Sequence, residues 1–144
     1  MSNIDNKMKK ILPFIDEEFF GDPLKNENSE MISKYSKELN DAPKEYGNFL
    51  YKYGSGELSS FFWIGDDLQD YQKIYGRTIK ELDGMLVFGS DIGEYTYAFD
   101  TKNNWEVVDI DASGEIFKRY GSFETFINQM LDEIIVSYEE DKER

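Results

Sequence analysis

The stretch EYTYAFDTKNNWEVVDIDASGEIFKRYGSFETFINQMLDEII, residues 94–135, changes its hydrophobic period partway along. From Glu94 to Asp100 large apolar residues alternate, setting Tyr95, Tyr97 and Phe99 on one side of an extended chain. Successive side chains of a strand point to opposite faces, so this segment reads as a half-buried β-strand. Residues 105–110 and 115–120 flank Asp111-Ala112-Ser113-Gly114, which predicts a hairpin. After Gly121 the period lengthens. Phe123, Phe126, Ile127, Met130, Leu131, Ile134 and Ile135 recur at steps of three and four, one stripe of a helix that Ser122 can cap. Antiparallel strands closed by an amphipathic helix point to an α+β fold.

Working outward, residues 85–88 form a compact apolar strand ending at Gly89, and 58–64, containing Phe61-Phe62-Trp63-Ile64, read as another. Between them, 66–76 predict a short helix or extended loop around Leu68, Tyr71 and Ile74. The N-terminal third is helical in pattern. Ile4, Met8, Ile11, Leu12, Ile15 and Phe19 keep helical spacing, broken or kinked at Pro13 and ended by Gly21-Asp22-Pro23. Ser29 can cap a helix carrying Ile32, Tyr35 and Leu39. Pro43 suits the first turn of a further helix bearing Tyr46, Phe49, Leu50 and Tyr53, with Gly54 as its C-cap. The expectation is a single α+β domain: a mainly antiparallel or mixed sheet with N-terminal helices and a C-terminal helix packed on it. Its parts are a helical extension (1–28), the main domain (29–138) and a charged tail that frays (139–144).

Composition narrows function by exclusion. At 144 residues a domain buries about 70% of its unfolded surface, enough for a core without staples. Aromatic residues make up 16% of the chain, too many for a disordered acidic protein despite a net charge of −14. Cysteine and histidine are both absent. Disulfides, thiol nucleophiles, Ser-His-Asp constellations and His- or Cys-based zinc sites therefore cannot be assembled. Thirty acids against 16 bases oppose binding to nucleic-acid phosphates or anionic membranes and favour a basic partner. The apolar run at 11–15 is too short for a signal peptide and runs into acids, and no segment is long enough to span a bilayer. The chain reads as cytoplasmic.

Three stretches, taken in order, carry a resemblance. They are Ala42-Pro43-Lys44-Glu45-Tyr46-Gly47-Asn48-Phe49-Leu50-Tyr51-Lys52-Tyr53-Gly54-Ser55-Gly56; Leu86-Val87-Phe88-Gly89-Ser90-Asp91, followed by Tyr97-Ala98-Phe99-Asp100; and Ser122-Phe123-Glu124-Thr125-Phe126-Ile127. Together they resemble the SUKH superfamily, which includes the Smi- and Knr-type regulators of yeast and many bacterial toxin-immunity proteins. The resemblance runs from Ser29 to Leu131. Ala42 replaces the usual Leu before Pro, Ser55 stands where Gly is common, and Ile92 interrupts the glycine-rich turn after Asp91. The resemblance implies a non-enzymatic domain, a sheet flanked by helices, that in bacteria chiefly binds and neutralises a cognate toxin. Such toxins are often nucleases with basic surfaces, which an acidic chain would be suited to occlude.

Four groups of residues are candidates for chemistry. Asp66, Asp67 and Asp70, with Glu57 upstream, form an acidic group beside Phe62 and Trp63, either of which can anchor a partner. The alternative for these acids is a solvated loop and helix start. Asp91 and Glu94 sit in a turn between strands, where polar residues serve turn geometry or contact a partner. Asp109-Ile110-Asp111-Ala112-Ser113-Gly114 opens like a calcium loop, yet the twelfth position is Tyr120 where a bidentate Glu is required, so a plain hairpin turn is expected. A hydrolase using two carboxylates is the enzyme alternative, with no pair marked out. No metal or cofactor is expected. A regulatory or scaffold module of the same fold, without a toxin, is the second reading.

Overall fold

Alternation on the central strands produces one continuous sheet. The structure, a computed structural model, describes residues 3–16, 18–21, 42–91 and 95–142. Its strands are β1 (Phe20–Gly21), β2 (Ser55–Ser59), β3 (Phe62–Asp70), β4 (Met85–Ser90), β5 (Tyr95–Asp100), β6 (Glu106–Asp111) and β7 (Ile116–Gly121). They lie in sequence order, each antiparallel to the next. Consecutive antiparallel strands need only short connections, so the chain meanders from one edge to the other. The helices are α1 (Asn3–Ile11), α2 (Ala42–Tyr53), the short α3 (Tyr71–Tyr75) and α4 (Phe123–Lys142). The α+β class holds, and the sheet is antiparallel throughout. The helix expected between Ser29 and Leu39 lies outside the described residues, as does Glu94.

Local chemistry places the helices where the sequence predicts them. Ser122 caps α4, its Oγ accepting the Thr125 N–H at 3.1 Å. Gly54 follows α2 with φ +103°, its N–H donating to the Leu50 carbonyl at 3.0 Å. A Cβ at Gly54 would also lie 2.0 Å from the Gly21 carbonyl oxygen, so β1 could not pass this close to any other residue.

The sheet separates two cores. On one face Met8 and Ile11 of α1, Tyr46 and Leu50 of α2, and Phe123 and Phe126 of α4 pack on Phe62, Ile64, Phe88 and Phe99. The N-terminal segment thus shares the main core. On the other face Tyr71 and Leu82 cover Met85, Val87, Ala98, Val108 and Ile110, with Tyr75, Ile79 and Ile116 packed around them.

Four elements differ from expectation. Residues 66–70, expected within a short helix or extended loop, extend β3 to Asp70, and 71–75 are helical. The run 58–64 is a hairpin of β2 and β3, because Ser59 Oγ accepts the Phe61 N–H at 3.2 Å and closes a turn without glycine. Phe19 leaves the helical run after the Leu12–Phe14 turn, and its carbonyl accepts the Glu57 N–H at 2.8 Å beside β1. The charged tail continues α4 as far as Lys142.

Candidate functional site

Tyr46 links the helical face to the other side of the sheet. It is wholly buried, with its ring 5.5, 5.8 and 5.7 Å from those of Phe88, Phe99 and Phe123. Its hydroxyl donates to the Gly65 carbonyl at 2.7 Å, with the Asp67 carbonyl at 3.4 Å. Those carbonyls belong to a bulge in β3. Ile64 pairs with Gly89 and Gln69 with Val87, five steps along β3 against two along β4. Bulged backbone loses ladder partners, and the buried phenol supplies one. Burial, then Asp67 and Asp66, push the Tyr46 pKa well up, so the hydroxyl stays a donor. Asp66 and Asp67 stand exposed on the bulge.

Two residues before the bulge lies Trp63, on the face opposite its buried neighbours Phe62 and Ile64. It remains 46% exposed. Its indole lies against Gly65, where an added Cβ would come within 2.9 Å of the ring's Cη2. Gly65 is therefore the seat that lets the indole lie along the sheet. Trp63 pairs with Glu57 on β2 and with Ser90 on β4. Directly paired residues share a face, so Glu57, Trp63 and Ser90 form a row across three strands, with Asp91 next in chain.

The structure brings Glu57, Trp63 and Asp91 close, and spreads the remaining acids along β3. Trp63 pairs with Ser90 and Asp70 with Leu86, four residues apart on β4, so at about 3.3 Å per residue Asp70 lies roughly 13 Å along the sheet from Trp63. The surface is thus a strip, not a cluster. Asp70 Oδ1 accepts the Gln72 N–H at 2.9 Å and caps α3. Asp67 Oδ1 accepts the Leu68 N–H at 2.8 Å. Asp91 Oδ1 accepts the Tyr95 N–H at 2.7 Å, and its own N–H donates to the Tyr95 carbonyl at 3.0 Å, closing the β4–β5 turn. Turn and cap duties coexist with exposed charge here. Among the described residues, no Lys or Arg forms an ion pair with Glu57, Asp66, Asp67 or Asp70.

Phe62 is a correction. It is fully buried, its ring 5.7 Å from Tyr97 and 6.0 Å from Phe126, so it cannot anchor a partner in the folded chain. Two adjacent aromatics on a strand face opposite ways, and only Trp63 reaches the surface. Sequence reading passed over the positioning residues, Tyr46 and Gly65. Tyr46 stood in a quoted motif, but its hydroxyl's target appears only in the fold.

The calcium-like stretch closes on itself. Asp111 Oδ1 accepts from the Ser113 N–H at 2.9 Å, the Ser113 hydroxyl at 2.7 Å and the Glu115 N–H at 2.9 Å. These bonds, the Ser113 hydroxyl first, hold the Asp111 carboxyl below its ordinary pKa. The other carboxylate of the stretch, Asp109, is buried and accepts the Tyr120 hydroxyl at 2.8 Å. Elsewhere, a cavity of about 250 Å³ between α1, α2 and α4 is lined partly by Asp5, Glu45, Lys52, Tyr53 and Glu124. Asp5 is engaged there by the Lys52 ammonium at 2.6 Å and by the Tyr53 hydroxyl. The arrangement ties α1 to α2.

Among the described residues, an antiparallel meander carries its large helices on one face and the short α3 on the other, which defines an α+β domain. The SMI1 / KNR4 family (SUKH-1) matches over residues 27–129, and the chain belongs to that family. No curated protein and no solved structure matches it. Among the described residues, no helix is long and apolar enough to cross a membrane.

Proposed function

We propose that the chain is an immunity-type binding protein of the bacterial cytoplasm, which neutralises a basic toxin by occluding it and catalyses no reaction. The observation that carries this reading is Trp63, 46% exposed between Glu57 and Ser90 on the face opposite Phe62 and Ile64, with Glu57, Asp66, Asp67 and Asp70 forming no ion pair among the described residues. Membership in the SUKH-1 family is consistent with a protein-binding domain of this type. Trp63 is the anchor: a large, rigid side chain whose π-face receives an arginine or lysine of the partner. Glu57, Asp66, Asp67, Asp70, Asp91 and Glu94 supply complementary charge that speeds encounter. A toxin that is a nuclease presents the basic surface this strip fits.

The experiment is capture of the partner from the native cell, followed by co-expression of the captured protein with and without this chain. Growth arrest relieved by the chain is the expected result. A captured partner that is harmless by itself would replace immunity with a regulatory or scaffold role. Steering makes a second prediction. Charge reach shrinks to about 8 Å near physiological ionic strength, so the association rate should fall steeply as salt is added. A rate independent of salt would remove the electrostatic part of the proposal.

A further inference from the structure

Asp109 leaves an acceptor unmet on the helical side of the sheet. It is only 6% exposed, and its Oδ2 accepts the Tyr120 hydroxyl at 2.8 Å. The other oxygen, Oδ1, is buried and has no hydrogen-bond partner among the described residues. Buried polar atoms are nearly always paired, because leaving one bare costs its full desolvation. Strand pairing sets Tyr97 on one side of Asp109 and Lys118 on the other. Directly paired residues share a face, so the three form a row. The rings of Tyr97 and Tyr120 each lie 5.0 Å from Phe126 of α4, which closes the inner wall. The Tyr97 hydroxyl makes no hydrogen bond among the described residues either.

Charge and size select the occupant. Burial, then Asp91, Asp109 and Glu133, raise the Tyr97 pKa, and burial, then Asp109, raises that of Tyr120. Both phenols therefore stay protonated beside carboxylates from β6, α4 and the β4–β5 turn. On the basic side, Arg119 is held by Asp100 and Glu106. Lys118 is exposed, with its Nζ 4.7 Å from the centre of the Tyr120 ring, and it forms no ion pair among the described residues. Among the described residues no group of three ligating side chains could hold a metal ion, so the cation must bring its own hydrogens. A primary ammonium is compact and carries three donors, enough for Asp109 Oδ1 and the Tyr97 hydroxyl together, whereas a guanidinium is planar and wider. At the rim, Tyr95 precedes Tyr97 by two residues on the same face, and its ring lies 5.6 Å from that of Phe117, which is 70% exposed. That open aromatic pair offers a wall for the alkyl stem of a lysine.

We infer that Asp109 and Tyr97 form a lysine-recognition site, which takes the ε-ammonium of a protein partner once the Lys118 side chain swings aside. Lys118 is long, exposed and held by no salt bridge, which makes it the movable cover. Tyr97 packs in the helical core beside Phe62, whereas Trp63 faces the other way. The site therefore does not rest on the Trp63 strip being a binding face, and its test needs no toxin.

Chemical-shift titration of the purified full chain tests this, read at the ring signals of Tyr97 and Tyr120. The probes are acetyl-glycyl-lysyl-glycine amide, the same peptide with norleucine in place of lysine, and methylammonium chloride, all at matched ionic strength. Saturable shifts are expected with the lysyl peptide, weaker ones with methylammonium, and none with the norleucine peptide. No saturable shift with either ammonium would leave water as the partner of Asp109 Oδ1 and overturn the inference. Methylammonium binding without peptide binding would overturn the assignment to a lysine side chain. Asp109→Asn keeps an oxygen for the Tyr120 hydroxyl but removes the charge, and should weaken the lysyl peptide about tenfold or more. Tyr97→Phe fills the same space without the hydroxyl, should weaken the peptide severalfold, and carries the test if the first variant fails to fold. Unchanged affinity in either folded variant would overturn the inference. So would binding that appears in Lys118→Gln and not in the parent, because the chain's own lysine would then be the occupant.

Discussion

The two faces of the sheet come from the same strands, alternate residue by alternate residue, and do different work. On the helical face Phe88 lies 4.7 Å from Phe99 and 5.5 Å from Phe126, within a cluster that also takes in Tyr46 and Phe123. Each offset or edge-on pair adds about 0.5–1.5 kcal/mol beyond the area it buries. On the other face Ala98, Val108 and Ile110 are covered by α3 and the Lys80–Leu82 turn, and beyond that cover Trp63 is half exposed. Tyr75 holds this cover down, its hydroxyl donating to the Asp111 carbonyl at 2.8 Å and lying 2.9 Å from Thr96 Oγ1. The lesson is a division of labour. Stability is concentrated on one face, which leaves the other free to expose a large aromatic ring beside exposed acids such as Asp66 and Asp67.

Substitutions on the two faces should therefore separate. The largest loss of stability is expected from Phe88→Ala, about 3–5 kcal/mol for emptying a fully buried aromatic site. Urea denaturation should read that loss, while affinity per folded molecule for the partner stays unchanged. Tyr46→Phe is the variant that joins the faces. It leaves the Gly65 carbonyl without its buried donor, costing about 1–3 kcal/mol. It also loosens the bulge that presents Asp66 and Asp67, so both thermal stability and partner association should fall. Stability lost with association untouched would uncouple the bulge from the strip. The smallest effect is expected from Ser122→Ala, about 1 kcal/mol from removal of the α4 cap. A denaturant midpoint should report it, with no change in binding.

The helical face was the more legible of the two in the sequence. Period and caps located α2 and α4, because every turn of an amphipathic helix repeats the same signal. Met8, Ile11, Tyr46 and Phe126 were assigned to apolar stripes and are fully buried. The β6–β7 hairpin was legible for a similar reason: Gly114 marks its turn, with φ +93°. The β2–β3 hairpin was not, since a serine closes it inside an unbroken β-prone run. Two-residue β1 is too short to have any period. The strip was legible only in composition. Glu57, Trp63 and the aspartates were all singled out, but which aromatic faces outward depends on strand parity, and the placing of Asp66 and Asp67 depends on a bulge. The bulge's carbonyls are held by a residue 19 and 21 positions away in sequence, Tyr46 bonding Gly65 and Asp67. No local pattern encodes such a contact.

The proposal that Trp63 is the anchor of a protein-binding face is tested most directly by one pair of measurements on Trp63→Ala: partner affinity by calorimetry and stability by thermal melting. An exposed anchor contributes to binding and little to folding. The dissociation constant should rise about thirtyfold, equivalent to about 2 kcal/mol. Stability should stay within about 0.5 kcal/mol of the parent, as for substitutions away from the core. An unchanged dissociation constant in a fully folded variant would contradict the account, and the binding face would have to be sought elsewhere on the molecule.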